Sequence, residues 1–559
     1  MQTERRLLIA FALSLLVILL SRRLWEPQKP VVPNLKSTSV PDQFHNALPT
    51  SVPAVRLENA PIEGKAETGE KTFEVETDLY KLTLSNKGAV IRSWILKRYK
   101  DSSGKPLDLL DTRKEERFGA PFGLRIDREE DATKELAGAF YVCDGPARLD
   151  LTARGIKGAA LTFEFADSRV RSRKKLDFTP ASYKIQLSSR IWVNGRTSDH
   201  FVVWPAGFGD PAVEERTAIQ QALYRKDQKI TRLRGDKLET EQEISGSFDY
   251  AGVEDQYFAA LFLPSGAEPF RRILLSRDEH VRESNKKEML PRVGVWVNSQ
   301  DSADVQVFVG PKDTGVLPKV GPNLSEVVDY GWFGVVARPL FICLKAIYGY
   351  VRNYGVAIIL LTILINLALF PLRYKSMVSA QKMQKVQPQM KAVQEKYKKL
   401  KPTDPKRQEM NTEVMKLYKE HGVNPLGGCL PLLLQMPFFL AFYNLLSVSI
   451  ELRQAPFFLW IRDLSAYDQT FVLPVLMTVS MVAAQKMTPT PSADPLQAKM
   501  MLAMPLVFGF MLAFTSSGLV LYWLTSNLTG VAQQYFMNKY GPTAGSQPGK
   551  KSKSGKKGT

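Results

Sequence analysis

The sequence predicts a polytopic α-helical membrane protein with six spans, five of them forming a core bundle, a large all-β sandwich domain on the outer side of the bilayer and a helical hairpin on the cytoplasmic side. Three observations lead there. Apolar segments close to the length of a hydrocarbon core recur through the second half of the chain. Residues 66–324 instead carry stretches in which apolar and polar side chains alternate with period two. Basic residues gather beside the apolar segments, as in positively charged cytoplasmic loops.

The chain has 559 residues, a net charge of +19 and a pI near 9.5. Because that charge is not collected on one compact soluble domain, it points to membrane topology, and no DNA partner is expected. The three cysteines, Cys143, Cys343 and Cys429, have no CxxC or Cys/His spacing. The four histidines, His45, His200, His280 and His421, sit in no nucleophile or metal motif. Neither a catalytic site, a metal nor a cofactor is expected.

Taken in order, residues 1–26 open with basic residues and an apolar run from Leu7 to Leu20, closed by Arg22 and Arg23. Lacking a small-residue cleavage site, this reads as an uncleaved signal anchor with its N-terminus inside. Residues 27–65, rich in proline and poor in aromatics, form a linker. In the domain at 66–324, Phe73 and Val75, then Tyr80, Leu82 and Leu84, mark two strands before an Asn86-Lys87-Gly88 turn. Val293, Val295, Val297 and then Val305, Val307, Val309 mark two more.

Residues 325–353 mix Trp332, Phe333, Phe341 and Tyr348 with Arg338, Lys345 and Arg352, the composition of an amphipathic interface helix. The second span, 354–372, is apolar except for Thr362 and Asn366, which with Arg373 fall on one helix face. Such a stripe is expected to face the bundle or a water-filled cavity. In 373–428, Met383, Val386, Met390, Val393 and Tyr397, then Met410, Val414 and Leu417 after a KPTDPK turn, predict an antiparallel coiled-coil hairpin. Thirteen Lys and Arg against five Asp and Glu from Arg373 to Glu420 place it in the cytoplasm.

Residues 429–538 hold the four remaining spans, Leu430–Ile450, Phe471–Ala484, Met500–Phe514 and Gly518–Phe536. The last repeats the polar stripe with Tyr522, Ser526, Thr529 and Gln533, and Gln435 adds an amide in the third. Of the sixteen methionines, all but Met1 and Met289 lie from Met377 onward, as suits a surface accepting varied apolar partners. The tail, 539–559, is basic and cytoplasmic.

The runs VNPLGGCLPLLLQMPFFLAFYNLL, ELRQAPFFLWIRDLSAYD and SSGLVLYWLTSNLTGVAQQ, with GPKD at Gly310–Asp313, resemble the YidC/Oxa/Alb insertase family in its Gram-negative form. The resemblance implies an inner-membrane protein, with the β-sandwich domain periplasmic and both termini cytoplasmic. It implies a cofactor-free insertase working alone or with the Sec translocon on nascent membrane proteins, among membrane lipids. The ribosome and the signal recognition particle pathway become possible partners. It further implies a hydrophilic groove, here Thr362, Asn366, Arg373, Gln435, Tyr522, Trp523, Ser526 and Thr529. A substrate slide follows, here Phe438, Phe439, Phe442, Met504, Phe508 and Met511. A cytoplasmic recruitment surface would involve Met383, Met390, Lys396, Lys398 and Lys399. Where the family usually carries a basic residue, five positions before the Pro of the PL pair, this chain has Asn366; Arg373 is expected to supply the charge. A secondary transporter and a membrane-tethered sugar enzyme are the competing readings.

Overall fold

The computed structural model describes residues 64–110, 119–205, 207–210, 220–266, 268–281, 287–298, 304–397, 406–422, 430–487 and 495–540. The signal anchor, nearly all of the linker, and the tail beyond Tyr540 lie outside the described residues, as do Lys398 and Lys399.

The first half is built from two β sheets, of five and fourteen strands. The alternating segments form strands as expected: Thr72–Glu76 pairs antiparallel with Tyr80–Ser85 in the register Val75 to Leu82. Lys287–Val297 and Asp304–Pro311 carry the two valine runs. Period-two alternation sends every second side chain inward, and the sheets meet face to face over Trp94, Phe122, Phe163 and Trp204. Trp94 from the small sheet packs 6.2 Å from Trp204 of the large one, and Phe73 meets Phe163 edge-on at 5.5 Å. Among the described residues, the α-helix α1 (Glu130–Gly138) lies among the strands.

The inward row of Val170–Phe178 contains a lysine. Lys174 is fully buried, and its Nζ donates to the carbonyls of Gly88, Ala89 and Phe122 at 3.1, 2.7 and 2.8 Å. All three residues have left-handed backbone, at φ of 70°, 48° and 69°. That conformation is uncommon for a residue with a side chain and strained for a bulky one such as Phe122. The ammonium and the turned carbonyls thus form one cage joining the two sheets.

After the last strand, α2 (Leu317–Val320) leads to α3 (Gly334–Val351), α4 (Tyr354–Ala368), α5 (Phe370–Lys396), α6 (Lys406–Glu420), α7 (Leu430–Val448), α8 (Val472–Met487), α9 (Pro495–Leu512) and α10 (Ser517–Tyr540). Among the described residues, α3 alone is a single helix long and apolar enough to cross a membrane, and α4 with the first part of α5 would be a second, bent at 59°. Shorter apolar stretches occupy Gln435–Val448, Val472–Met487 and Ala503–Leu512. Composition does not settle the placing of α3. Its approach is tied at Tyr330, whose carbonyl accepts from Asn444 at 3.0 Å, its middle at Lys345, 3.2 Å from Glu451, and its exit at Asn353, which donates to the Phe457 carbonyl at 3.0 Å. All three partners belong to one end of the bundle, the last turns of α7 and the loop after it.

The β domain is seated on the same end. Arg453 pairs with Asp210 at 3.0 Å and donates to the Lys100 carbonyl at 2.6 Å, and Gln256 donates to the Ser447 carbonyl. Lys312 of the GPKD segment, buried, lies 3.1 Å from Glu254 and donates to the Asp255 carbonyl at 2.7 Å. Burial pushes the Asp255 carboxyl up to about 6, against the N–H groups of Asp210 and Phe258 that hold it down.

In the hairpin, Met383, Val386 and Met390 of α5 are buried against Leu417 and Tyr418 of α6. This corrects the assignment of Met383 and Met390 to a recruitment surface. Their three-and-four spacing, which predicted the hairpin, turns them into its seam and leaves Lys396, salt-bridged to Glu413 at 3.4 Å, on the outside.

Burial pushes the Lys174 ammonium down to about 7. An unfolded lysine keeps its proton to about pH 10, so unfolding takes up a proton between these values and stability rises with pH across that window. Lys174→Met removes this slope and leaves three buried carbonyls without their donor, at a cost of about 2–4 kcal/mol near pH 7. Denaturant unfolding of the detergent-solubilised chain should show the gap between wild type and variant widening from about pH 7 to about pH 9.

Candidate functional site

Helix α4 starts where the Asn353 side chain accepts the Val356 N–H at 3.0 Å, satisfying a free first-turn donor. It stops at Ala368 because Pro371 follows: proline offers no N–H and its ring crowds the carbonyl of the preceding turn, but it is tolerated at the start of a new helix. The chain therefore restarts at once as α5 with its axis turned by 59°. The expectation that Thr362, Asn366 and Arg373 share one helix face is corrected accordingly. Arg373 belongs to the first turn of α5 and reaches the site from beyond a break.

It does reach it. Arg373 is buried, and its Nη2 donates to Gln435 Oε1 at 2.8 Å, while Nη1 lies 3.5 Å from Gln533 Oε1. Gln435 Nε2 donates to Ser526 Oγ at 2.8 Å, and Ser526 is 3.4 Å from the Asn366 amide. Gln533 Nε2 closes the path by donating to the Asn366 carbonyl at 3.2 Å. Five side chains from α4, α5, α7 and α10 thus form a circuit, with the guanidinium as its one formal charge. Among the described residues no carboxylate pairs with Arg373, and its Nε is buried without an acceptor.

The other expected groove residues sit around this circuit. Thr362 is buried, and its hydroxyl is satisfied within α4 by the Ile358 carbonyl at 2.6 Å. Thr529, half-buried, likewise donates to the Thr525 carbonyl at 2.8 Å and stays outside the circuit. Tyr522 is stacked on Phe442 at 4.3 Å. Trp523 stands between α7 and α9, edge-on to Phe439 at 4.8 Å and nearly parallel to Phe508 at 6.4 Å, with its buried indole N–H unpartnered.

Of the slide residues, Phe438, Phe439, Met504 and Phe508 are half-buried and Met511 is exposed. Phe442 departs from expectation: fully buried beneath Tyr522, it backs the surface and does not form it. Close helix contact beside the slide depends on Gly509, where an added Cβ would fall 2.0 Å from Thr478 Oγ1 of α8. A polar tie that sequence reasoning missed joins α8 to α10, Asn527 donating to Ser480 at 3.0 Å. Its one signal was an asparagine beside Ser526, on a face not assigned to the stripe.

A family model described as 60Kd inner membrane protein matches residues 346–544, and one described as YidC periplasmic domain matches residues 72–343. Proteins named membrane protein insertase YidC from Syntrophus aciditrophicus and Citrifermentans bemidjiense are 34% and 35% identical to this chain, each over 96% of it and 99% of their own length. The chain belongs to the YidC insertase family. A crystal structure titled as an active YidC insertase with its first transmembrane domain resolved is similar at 19% identity, covering 85% of this chain and 95% of that one with a TM-score of 0.37. The mostly β unit at the start of the described chain is the family's periplasmic domain, and the family is one of inner membrane proteins. Within this YidC family member, Asn366 and Arg373 are coupled through Gln533, so the amide and the cation belong to one network.

Gln435→Leu removes the best acceptor of a buried guanidinium and should lower stability by about 1.5–3 kcal/mol. Gln435→Glu, which supplies a carboxylate at the same place, should keep or raise it. Thermal unfolding of the two variants in detergent checks the difference.

Proposed function

We propose that this chain is a membrane protein insertase of the inner membrane in which the Arg373 circuit receives the polar part of a substrate while the apolar part passes between α7 and α9. The observation that carries the reading is a buried guanidinium held by the amide oxygens of Gln435 and Gln533, with no carboxylate among the described residues to neutralise it. A charged side chain at the centre of a spanning helix costs roughly 2.5–3.5 kcal/mol on the insertion scale. An unpaired cation among exchangeable amide partners lowers that cost for an acidic tail, since Gln435 and Gln533 can release Arg373 without leaving a buried charge alone. Trp523 backs the slide formed by Phe438, Phe439, Met504, Phe508 and Met511, its ring packed against Phe439 and Phe508.

In this reading the chain has six spans: the N-terminal anchor, α4, α7, α8, α9 and α10. Both termini and the α5/α6 hairpin lie in the cytoplasm, and α3 lies along the outer interface. The ties of α3 to one end of the bundle support its placing, and α10 carries a polar stripe that makes it less apolar than a lipid-facing span. The periplasmic domain then sits over the outer end, held by Arg453 and Asp210. The lysine-rich outside of the hairpin and the basic tail are the surfaces offered to a ribosome or the signal recognition particle pathway, and the bundle works alone or beside the Sec translocon.

In cells depleted of their native insertase, Arg373→Ala should lower insertion of a substrate with an acidic tail about tenfold or more, the cost of losing a charge-assisted contact. Arg373→Lys should retain part of the activity, and Gln435→Glu should impair it by neutralising the guanidinium. Protease protection of the tail measures each, and wild-type insertion by Arg373→Ala would refute the assignment.

A further inference from the structure

A cavity of about 940 Å³ lies over the ends of α7, α8, α9 and α10 that face the β domain. The loop between α7 and α8 forms much of its wall, and Ser102, Asp210 and Gln256 of the β domain form part of the rim. It is distinct from the Arg373 circuit, at the opposite end of the helices.

Two helix faces lead into it. On α7, Phe439, Tyr443 and Ser447 follow one another at steps of four, and the last two line the cavity. On α9, Met504, Phe508 and Met511 at steps of four and three point on to Thr515, which lines it too. From Phe439 to Ser447 the rise is about 12 Å. A segment moving along these two faces would carry its leading end toward this space.

Most of the charge inside is already engaged. Asp210 is held by Arg453 at 3.0 Å. Asp463 accepts the N–H groups of Gln454 and Ser465 at 3.0 and 2.8 Å, and Asp468 accepts those of Thr470 and Leu473 at 2.9 and 2.8 Å. Arg462 is exposed on the cavity wall, with no ion pair or hydrogen bond among the described residues. The cavity thus offers one cation, Arg462, that has no ion pair among the described residues, beside Asp463 and Asp468, whose charge is stabilised by donors of their own loop.

We propose that this cavity is a receiving chamber for the leading polar end of an inserting segment, and that Arg462 favours an acidic side chain there. The inference rests on the insertase reading and extends it: Arg373 meets the acidic residue at the inner end of the path and Arg462 meets it at the outer end.

The test uses the full chain in membrane vesicles, with a photo-crosslinking residue at Phe508 on the slide or at Gln469 on the cavity wall, and nascent substrates arrested at increasing length. Adducts to the acidic leading tail are expected at both positions, with the Gln469 adduct appearing at the longer lengths. An adduct at Phe508 without one at Gln469 at any length overturns the chamber and leaves the insertase reading standing; absence of both overturns that reading and the chamber with it. Arg462→Ala should reduce insertion of the acidic tail about two- to fivefold relative to a neutral tail, the scale of a screened surface ion pair. Arg462→Glu should shift the preference toward a basic tail. Equal insertion of acidic and neutral tails by both variants overturns the role of Arg462.

Discussion

A guanidinium buried without a counter-ion is the constraint around which the helical half is arranged. Desolvating a charge is costly unless hydrogen bonds replace water, so Arg373 requires acceptors from its surroundings. Gln435 of α7 and Gln533 of α10 supply them, and each passes its own donor onward, to Ser526 and to the Asn366 carbonyl. The circuit fixes four helices relative to one another while leaving its charge uncompensated. A carboxylate in place of either glutamine would satisfy the arginine better and leave nothing for a substrate.

The break between α4 and α5 makes that arrangement possible. On a straight continuation of α4, the rise from Asn366 to Arg373 would be about 10 Å along the axis. The turn at Pro371 redirects the chain so that Gln533 can reach both the Asn366 carbonyl and the guanidinium. The aromatic set beside it, Phe442 on Tyr522 and Trp523 between Phe439 and Phe508, separates the polar circuit from the apolar path with rigid rings. At the other end, the ion pair of Arg453 with Asp210 docks the β domain, and the contact of Lys345 with Glu451 ties α3 to the same loop. Burial and the nearby Asp313 carboxylate raise the Glu451 carboxyl above its ordinary range. The periplasmic domain is therefore joined to the bundle through polar contacts that belong to the same loop as the chamber wall.

Much of this was legible in the residues. Period-two alternation located the strands at Phe73–Val75, Tyr80–Leu84 and the two valine runs, because a sheet with one buried face must alternate. Three-and-four spacing located the hairpin, and the polar stripes located the two helices that meet at Ser526 and Asn366. The family resemblance, by contrast, does not tell seam from surface: Met383 and Met390 pack against α6 and are not open to a partner. Phe442 lies on the implied slide helix, but a likeness in sequence does not say whether solvent, lipid or Tyr522 covers the ring.

By itself the sequence determined the membrane class, the β domain, the hairpin and the family, since length, periodicity and long local motifs are properties of neighbouring residues. Only the tertiary structure decided that Arg373 sits past a helix break yet joins Asn366 through Gln533, that Lys174 fills a cage of left-handed carbonyls between two sheets, and that Arg462 lines a cavity between the β domain and the helix ends. Each of those depends on groups far apart in the chain being brought within hydrogen-bonding or packing distance, and one-dimensional spacing carries no record of which distant partner a buried charge will find.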